Sequence, residues 1–206
     1  MTTGEWARRP VKTRNAGWTA WLAQSLADAG VQPNRISLAS IAAAAAVAAA
    51  CLLAGYYLSA ALFIQLRLLC NLLDGMVAIE GGRRSAVGEL YNDLPDRLSD
   101  ALILLAAGYS LPWPAHAVEL GWAASLLAVM TAYVRVLGGA CGLPQDFGGP
   151  MAKPQRMAVL TGGCILARID QRALGLALAV VIAGSLITLA LRVGRMVRKL
   201  EANGND

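Results

Sequence analysis

The stretch Asn71–Asp100, NLLDGMVAIEGGRRSAVGELYNDLPDRLSD, sets carboxylates and carboxamides at helical spacing inside two otherwise apolar segments. Ionisable groups at bilayer depth are costly and usually mark a site. Residues three, four and seven apart share a helical face. Arg67, Asn71, Asp74 and Ala78 therefore form one stripe, and Asn92, Asp96 and Asp100 form another. Antiparallel packing through the short GGRRSAVG loop lets the stripes face each other across an oxygen-rich cleft, with Asp74 on one wall and Asp96 on the other. Such oxygens suit Mg²⁺ or Mn²⁺, and a divalent ion in a cleft suits a diphosphate. Gly75, Ala78 and Gly88 are small enough to let backbone and a nucleotide come close. Pro95 cannot donate to the carbonyl of Tyr91, which leaves that carbonyl open to water, a ligand or another helix.

Outward from this stretch the chain is a membrane protein by composition. It has 206 residues, of which 57% are hydrophobic, and a positive mean hydropathy. At ~20 residues per span, six windows emerge at 36–56, 57–79, 90–111, 117–140, 157–168 joined to part of its flanks, and 173–194. The expected fold is all-α, six transmembrane helices in one domain over 1–206. A short amphipathic helix at 16–30 would lie in the interface ahead of the 36–194 bundle, with a tail at 195–206. On that helix Trp18, Leu22 and Leu26 recur at helical intervals, and Pro33-Asn34 then breaks the chain. The Ala run at 42–50 permits close helix approach. The first apolar run follows a long polar leader and reads as a retained span, not a signal peptide.

Charge fixes an expected orientation. Arg8, Arg9, Lys12, Arg14, Arg35, Arg83, Arg84, Lys153, Arg156, Arg192, Arg195, Arg198 and Lys199 fall on one side, against Arg168 and Arg172 on the other. Both termini, and the Asn71–Asp100 site, are thus expected at the cytoplasmic face of the membrane. The net charge of +5 comes largely from these flanks. It points to anionic lipid heads, not nucleic acid, since no aromatic-interleaved basic patch is present. Cys51, Cys70, Cys141 and Cys164 have no paired spacing and read as packing residues. The single His116, in SLPWPAHAV beside Trp113, reads as an interface residue on the far side from the cleft.

Extracted, the pattern is Asn71-x2-Asp74-Gly75-x2-Ala78-x9-Gly88-x3-Asn92-x3-Asp96. It resembles the signature of the CDP-alcohol phosphatidyltransferase family, D-x2-D-G-x2-A-R-x8-G-x3-D-x3-D, with the spacing kept at every step. Asn71 and Asn92 stand where the family has aspartates, and Ile79 where it has arginine. The chain is most similar to a bacterial branch that carries Asn at both positions. The resemblance is recognisable over about the first hundred residues and weak afterwards. It implies two divalent ions on the aspartates, with Asp74 as a metal ligand and Asp96 as a ligand or general base. Asn71 and Asn92 take ligand positions, and Gly75, Ala78 and Gly88 line the cytidine and diphosphate site. It further implies a CDP-diacylglycerol-like lipid, an alcohol acceptor, release of CMP, and a second copy of the chain as partner in a homodimer.

The Asn substitutions remove two negative charges, so metal affinity is expected to fall, down to the loss of one ion. Glu89 and Asp93, which share an adjacent stripe with Asp96 and Asp100, could compensate. Arg135, Lys153 and Arg156 stand where the family holds a phosphate of the acceptor or lipid. Purely structural alternatives exist for each. Arg97 reaches Asp93 or Asp100 along its own helix, Arg67 reaches Asp74, and the two Asn side chains can join helices. Two other functions stay open. Asn92-Asp93-x2-Asp96-x3-Asp100 also fits a motif of UbiA-type prenyltransferases, although the second aspartate-rich motif of that class is missing. The substitutions also allow a non-catalytic homologue that binds nucleotide or lipid.

Overall fold

The computed structural model describes residues 17–31, 44–80, 88–112 and 114–203. The basic leader, Pro33-Asn34, Arg35, the Arg83-Arg84 loop and Trp113 lie outside the described residues. Among those described, the regular structure is helical throughout. The helices are α1 Gly17–Asp28, α2 Ala46–Leu53, α3 Tyr57–Glu80, α4 Gly88–Tyr109, α5 Ala117–Ala140, α6 Lys153–Leu166 and α7 Arg172–Asn203.

Local chemistry sets the boundaries. Gly55 and Gly142 take positive φ, 77° and 79°, just past the ends of α2 and α5. At each, the next two amides turn back onto the last turn, as in Tyr56 N to Cys51 O at 2.7 Å and Leu143 N to Gly138 O at 3.0 Å. Only glycine adopts this left-handed cap without penalty. α6 opens on Lys153 with Pro154 in its first turn, where a missing amide hydrogen has no cost.

Helices α2 to α7 form a closed ring in the order α2, α3, α6, α7, α5, α4 and back to α2, and α1 packs outside on α3. One core runs through the ring, from Ala48 and Leu52 through Ile64, Ile103 and Leu104 to Met157, Leu160, Leu174 and Leu178. Small residues let helices touch. A methyl on Gly108 would lie 2.6 Å from Ala117 O and 2.8 Å from Gly121 Cα, so α4 and α5 cross backbone to backbone.

Among the described residues, three helices are long and apolar enough to cross a membrane, Tyr57–Val77, Ala117–Ala140 and Arg172–Asn203. α4 turns Asp96 and Asp100 inward, and its Leu90, Leu94, Leu98 and Leu102 are exposed along one outer stripe. Leu58, Leu62 and Leu66 do the same on α3. Polar inside and apolar outside is what a lipid solvent selects. α6 has 14 residues, about 21 Å at 1.5 Å per residue, short of the ~30 Å hydrocarbon layer.

α1 departs from a helix lying in the interface alone. Its Leu22, Leu26, Ala23 and Ala27 pack against Leu69, Leu72, Leu73, Met76 and Val77 of α3, while Trp21 is 70% exposed. The apolar stripe packs on a neighbouring helix, Trp21 faces outward, and Trp18 reaches the edge of the cavity. The tail expected from 195 onward continues α7 to Asn203.

Candidate active site

The ring closes around one sizeable cavity of about 440 Å³. α3 supplies Gln65, Asn71 and an apolar wall; α4 supplies Asp93, Asp96 and Arg97. Thr131 and Arg135 come from α5, Lys153 and Arg156 from α6, and Arg192 from α7, with Trp18 and Phe147 also on its lining. One side is carboxylate and carboxamide; the other is basic.

Asp96 is the meeting point. Arg67 Nη2 donates to its Oδ1 at 3.0 Å and to its backbone carbonyl at 3.1 Å. Asn71 Nδ2 faces both carboxylate oxygens at 2.8 and 2.7 Å. A carboxylate only accepts, so the amide must present its nitrogen. Lys153 Nζ donates to Oδ2. A turn further along α4, Asp100 is 2% exposed and lies between two guanidiniums. Arg67 Nη1 is 2.6 Å from its Oδ1, close by charge but not aligned as a hydrogen bond. Arg156 Nη2 donates to its Oδ2 at 3.2 Å.

The basic side is built, not merely solvated. Arg156 also donates to Thr131 Oγ1 at 3.0 Å and to Met151 O at 3.2 Å. Arg192 Nε donates to Gly148 O at 2.9 Å and its Nη1 to Thr131 O at 2.5 Å. Arg135 pairs with Asp93, which also accepts from Arg97 at 3.0 Å, and its guanidinium lies over the Phe147 ring at 5.2 Å. The 141–152 loop is held down by these contacts and by Arg195 Nε on Asp146 Oδ2 at 2.7 Å. Burial pushes the Asp146 carboxyl up, but the Gly148 amide and Arg195 outweigh it and hold it below its ordinary value. Gly149, at φ 127°, lets the loop press on Thr188.

Of the expected site residues, the cavity brings together Asn71, Asp93, Asp96, Arg135, Lys153 and Arg156. Asp74 lies one turn along α3 from Asn71, 3% exposed, and like Asp100 it is set back from the described lining. Gly75 lies beside it on α3. The side chains of Ala78, Glu89 and Asn92, and the surroundings of Gly88, lie outside the described residues. Sequence reasoning underused Arg67, which reaches across to α4, and Arg192, which it counted only as a topology charge. The signal for Arg67 was present: a charge in mid-span on the stripe of Asn71 and Asp74.

Asp74, Asp96 and the amide oxygen of Asn71 are hard donors, the kind a small dication takes. Among the described residues no three His, Cys, Asp or Glu side chains converge as a ready cage. That donor set fits Mg²⁺, which commonly takes one or two carboxylates and completes its shell with water and substrate phosphate.

Comparison with known proteins agrees with this architecture. The phosphatidylinositol phosphate synthase of Mycolicibacterium smegmatis is 27% identical over 184 residues, 84% of this chain and 80% of that one. The Corynebacterium glutamicum protein of the same name is 28% identical over 168 residues, 79% of this chain and 76% of that one. Structures of the Mycobacterium tuberculosis phosphatidylinositol phosphate synthase superpose at 21% identity. With CDP-DAG bound, the TM-score is 0.77 over 86% of this chain and 92% of that one. With manganese and citrate it is 0.78, over 86% and 88%. The family model for CDP-alcohol phosphatidyltransferases matches residues 31–191, and the chain belongs to that family.

Proposed function

We propose that this protein transfers a phosphatidyl group from CDP-diacylglycerol to a hydroxyl of a phosphorylated polyol, inositol phosphate, and releases CMP. One observation carries the reading: a single cavity sets Asp96 and Asn71 opposite Arg135, Lys153 and Arg156. The names of the relatives support inositol phosphate as the acceptor, and the CDP-DAG complex of the mycobacterial structure supports the donor.

The residues divide the work. Asp96 accepts the proton of the acceptor hydroxyl. The freed oxygen attacks the β-phosphorus, the bond from that phosphorus to the CMP oxygen breaks, and a phosphodiester lipid forms. Lys153 must leave Asp96 before the carboxylate can act as a base, and the acceptor phosphate is the anion that draws it away. Arg135, fixed by Asp93 and Phe147, and Arg156, fixed by Thr131, offer guanidiniums that suit phosphate oxygens. Asp74 and Asp96, with Asn71 and Asn92 through their amide oxygens, would hold Mg²⁺ or Mn²⁺. The ion would neutralise diphosphate charge and stabilise the leaving phosphate. Gly75, Ala78 and Gly88 would leave room for the cytidine. Glu89 would add charge beside Asn92.

The same reading includes six membrane spans in one domain, both termini and the cavity at the cytoplasmic face of a bacterial inner membrane, and a homodimer. Three apolar helices and the one-sided basic residues support it. A second reading has one observation in its favour. Asp96 is already engaged by Arg67, Asn71 and Lys153, as it would be in a homologue that binds CDP-lipid without reacting.

CMP release by the purified protein in nanodiscs separates them. The assay contains CDP-diacylglycerol, Mg²⁺ or Mn²⁺ and a pool of alcohols that includes inositol phosphate. Release that requires metal and is abolished by Asp96→Ala is expected, with phosphatidylinositol phosphate as the lipid product. CDP-lipid binding without release would establish the non-catalytic reading instead.

A further inference from the structure

Arg67 is an unusual residue to find where it is. It is fully buried (0% exposed), in mid-span of α3, and its guanidinium touches both Asp96 and Asp100. Its Nε is buried without an acceptor, so the side chain is held there by the two carboxylates and by Met157 Sδ at 3.8 Å. Lysine and arginine near a helix end normally extend towards water. This one points into the ring and takes two anions as its counter-charges.

The charges around it can be counted by contact. Asp96 and Asp100 meet Arg67, Lys153 and Arg156. With Asp74, buried one turn beyond Asn71 on α3, three carboxylates stand against three cations among the described residues around Arg67. These six groups are formally neutral before any ligand arrives. A diphosphate diester brings two negative charges, and one divalent ion offsets them. A second divalent ion would leave two uncompensated positive charges in a buried site, beside a guanidinium that cannot lose its proton. The carboxamides at Asn71 and Asn92 bring no charge to offset them.

We propose that Arg67 is a built-in cation that pins Asp96 and Asp100 together and limits this site to one divalent ion per chain. The inference rests on the metal-dependent reading above and deepens it. Arg67 acts through Asp96 and Asp100, so it is a positioning residue.

The test is a count of bound Mn²⁺ on the full-length protein in nanodiscs, by calorimetric titration and by electron paramagnetic resonance, with and without CDP-diacylglycerol. One Mn²⁺ per chain is expected, with the six-line spectrum of an isolated ion and no spin coupling. The Arg67→Gln, Asn71→Asp double variant removes one positive charge and adds one negative charge. It is expected to bind two Mn²⁺ and to give a spin-coupled signal, whereas Arg67→Lys stays at one. Two ions on the unmodified protein would overturn the proposal, and that count needs no variant to fold. A folded double variant that still holds one ion would overturn it too. No bound ion at all would overturn both this proposal and the metal-dependent reading. CMP release is read separately, so a wrong ion count leaves the transfer reaction standing.

Discussion

Replacing Arg156 by methionine tests whether the basic side of the cavity is structural. Arg156 is 2% exposed and holds Asp100, Thr131 and Met151 together from α6. Removing one partner of a buried ion pair costs about 3–5 kcal/mol, because the other charge stays buried. Here Arg67 Nη1 remains 2.6 Å from Asp100, so the loss belongs at the lower end, about 3 kcal/mol. For a chain of this size each kcal/mol moves the melting midpoint by ~2–4 °C. The expected fall is therefore roughly 6–12 °C, measured in nanodiscs at a fixed scan rate. Asp100→Asn alone should also destabilise, since it leaves Arg67 and Arg156 with one carboxylate fewer. The double variant Asp100→Asn, Arg156→Met removes both members, and its loss should be smaller than the sum of the singles by ~1 kcal/mol or more. A shift below ~2 °C for Arg156→Met, or strict additivity in the cycle, would refute the reasoning.

Three further outcomes follow from other parts of the molecule. Gly108→Ala puts a methyl 2.6 Å from Ala117 O and 2.8 Å from Gly121 Cα, and the helices must separate; a destabilisation of ~1–3 kcal/mol is expected in thermal melts. Lys153→Met removes a positive charge from Asp96. The apparent Mn²⁺ affinity should rise by about tenfold, roughly 1.4 kcal/mol, while KM for a phosphorylated acceptor rises; unchanged Mn²⁺ affinity contradicts the electrostatic account. Asp146 has its carboxyl held below the ordinary value by the Gly148 amide and Arg195, against the upward push of burial. A depressed folded pKa stabilises the protein above the unfolded value of ~3.9 and is lost as pH falls through the lower folded value. The melting advantage of the unmodified protein over Asp146→Asn should therefore persist down to about pH 4 and disappear below it; an advantage that survives further acidification contradicts the assignment.

The helices were legible where hydropathy alone decides. Windows at 57–79 and 117–140 coincide with α3 and α5 within a residue. The fifth window had a clear apolar centre only at 157–168 and needed its flanks to make a span, because Lys153, Gln155 and Arg156 depress hydropathy although α6 starts at Lys153. Lys153 and Arg156 are polar because they face the cavity, whereas Gln155 is exposed. The window ending at 194 stopped early, since α7 continues through a charged amphipathic stretch to Asn203. Of the first window, residues 44–56 are described, with α2 ending at Leu53 before the Gly55 turn. Within the site, periodicity could find only neighbours on one helix. The Arg97–Asp93 pair, four residues apart, is such a case. Arg67 with Asp96, Lys153 with Asp96 and Arg156 with Asp100 join residues 29, 57 and 56 positions apart. No helical repeat encodes those distances; the order of helices around the ring does.

Arg192 and Arg195 on α7 grip the loop that runs into Lys153, through the Gly148 carbonyl and the Asp146 carboxylate. This has a consequence for how the protein is made. The ribosome delivers α3 and α4, with Asn71 and Asp96, long before it delivers Arg192. At ~5–20 residues per second, the interval between Asp96 and Arg195 is on the order of 5–20 seconds. During that time the acidic half is already threaded, while the basic half lacks its last fastening. The basic half of the cavity is thus completed only once α7 has been made, and α3 and α4 must hold Asn71 and Asp96 without that fastening until then.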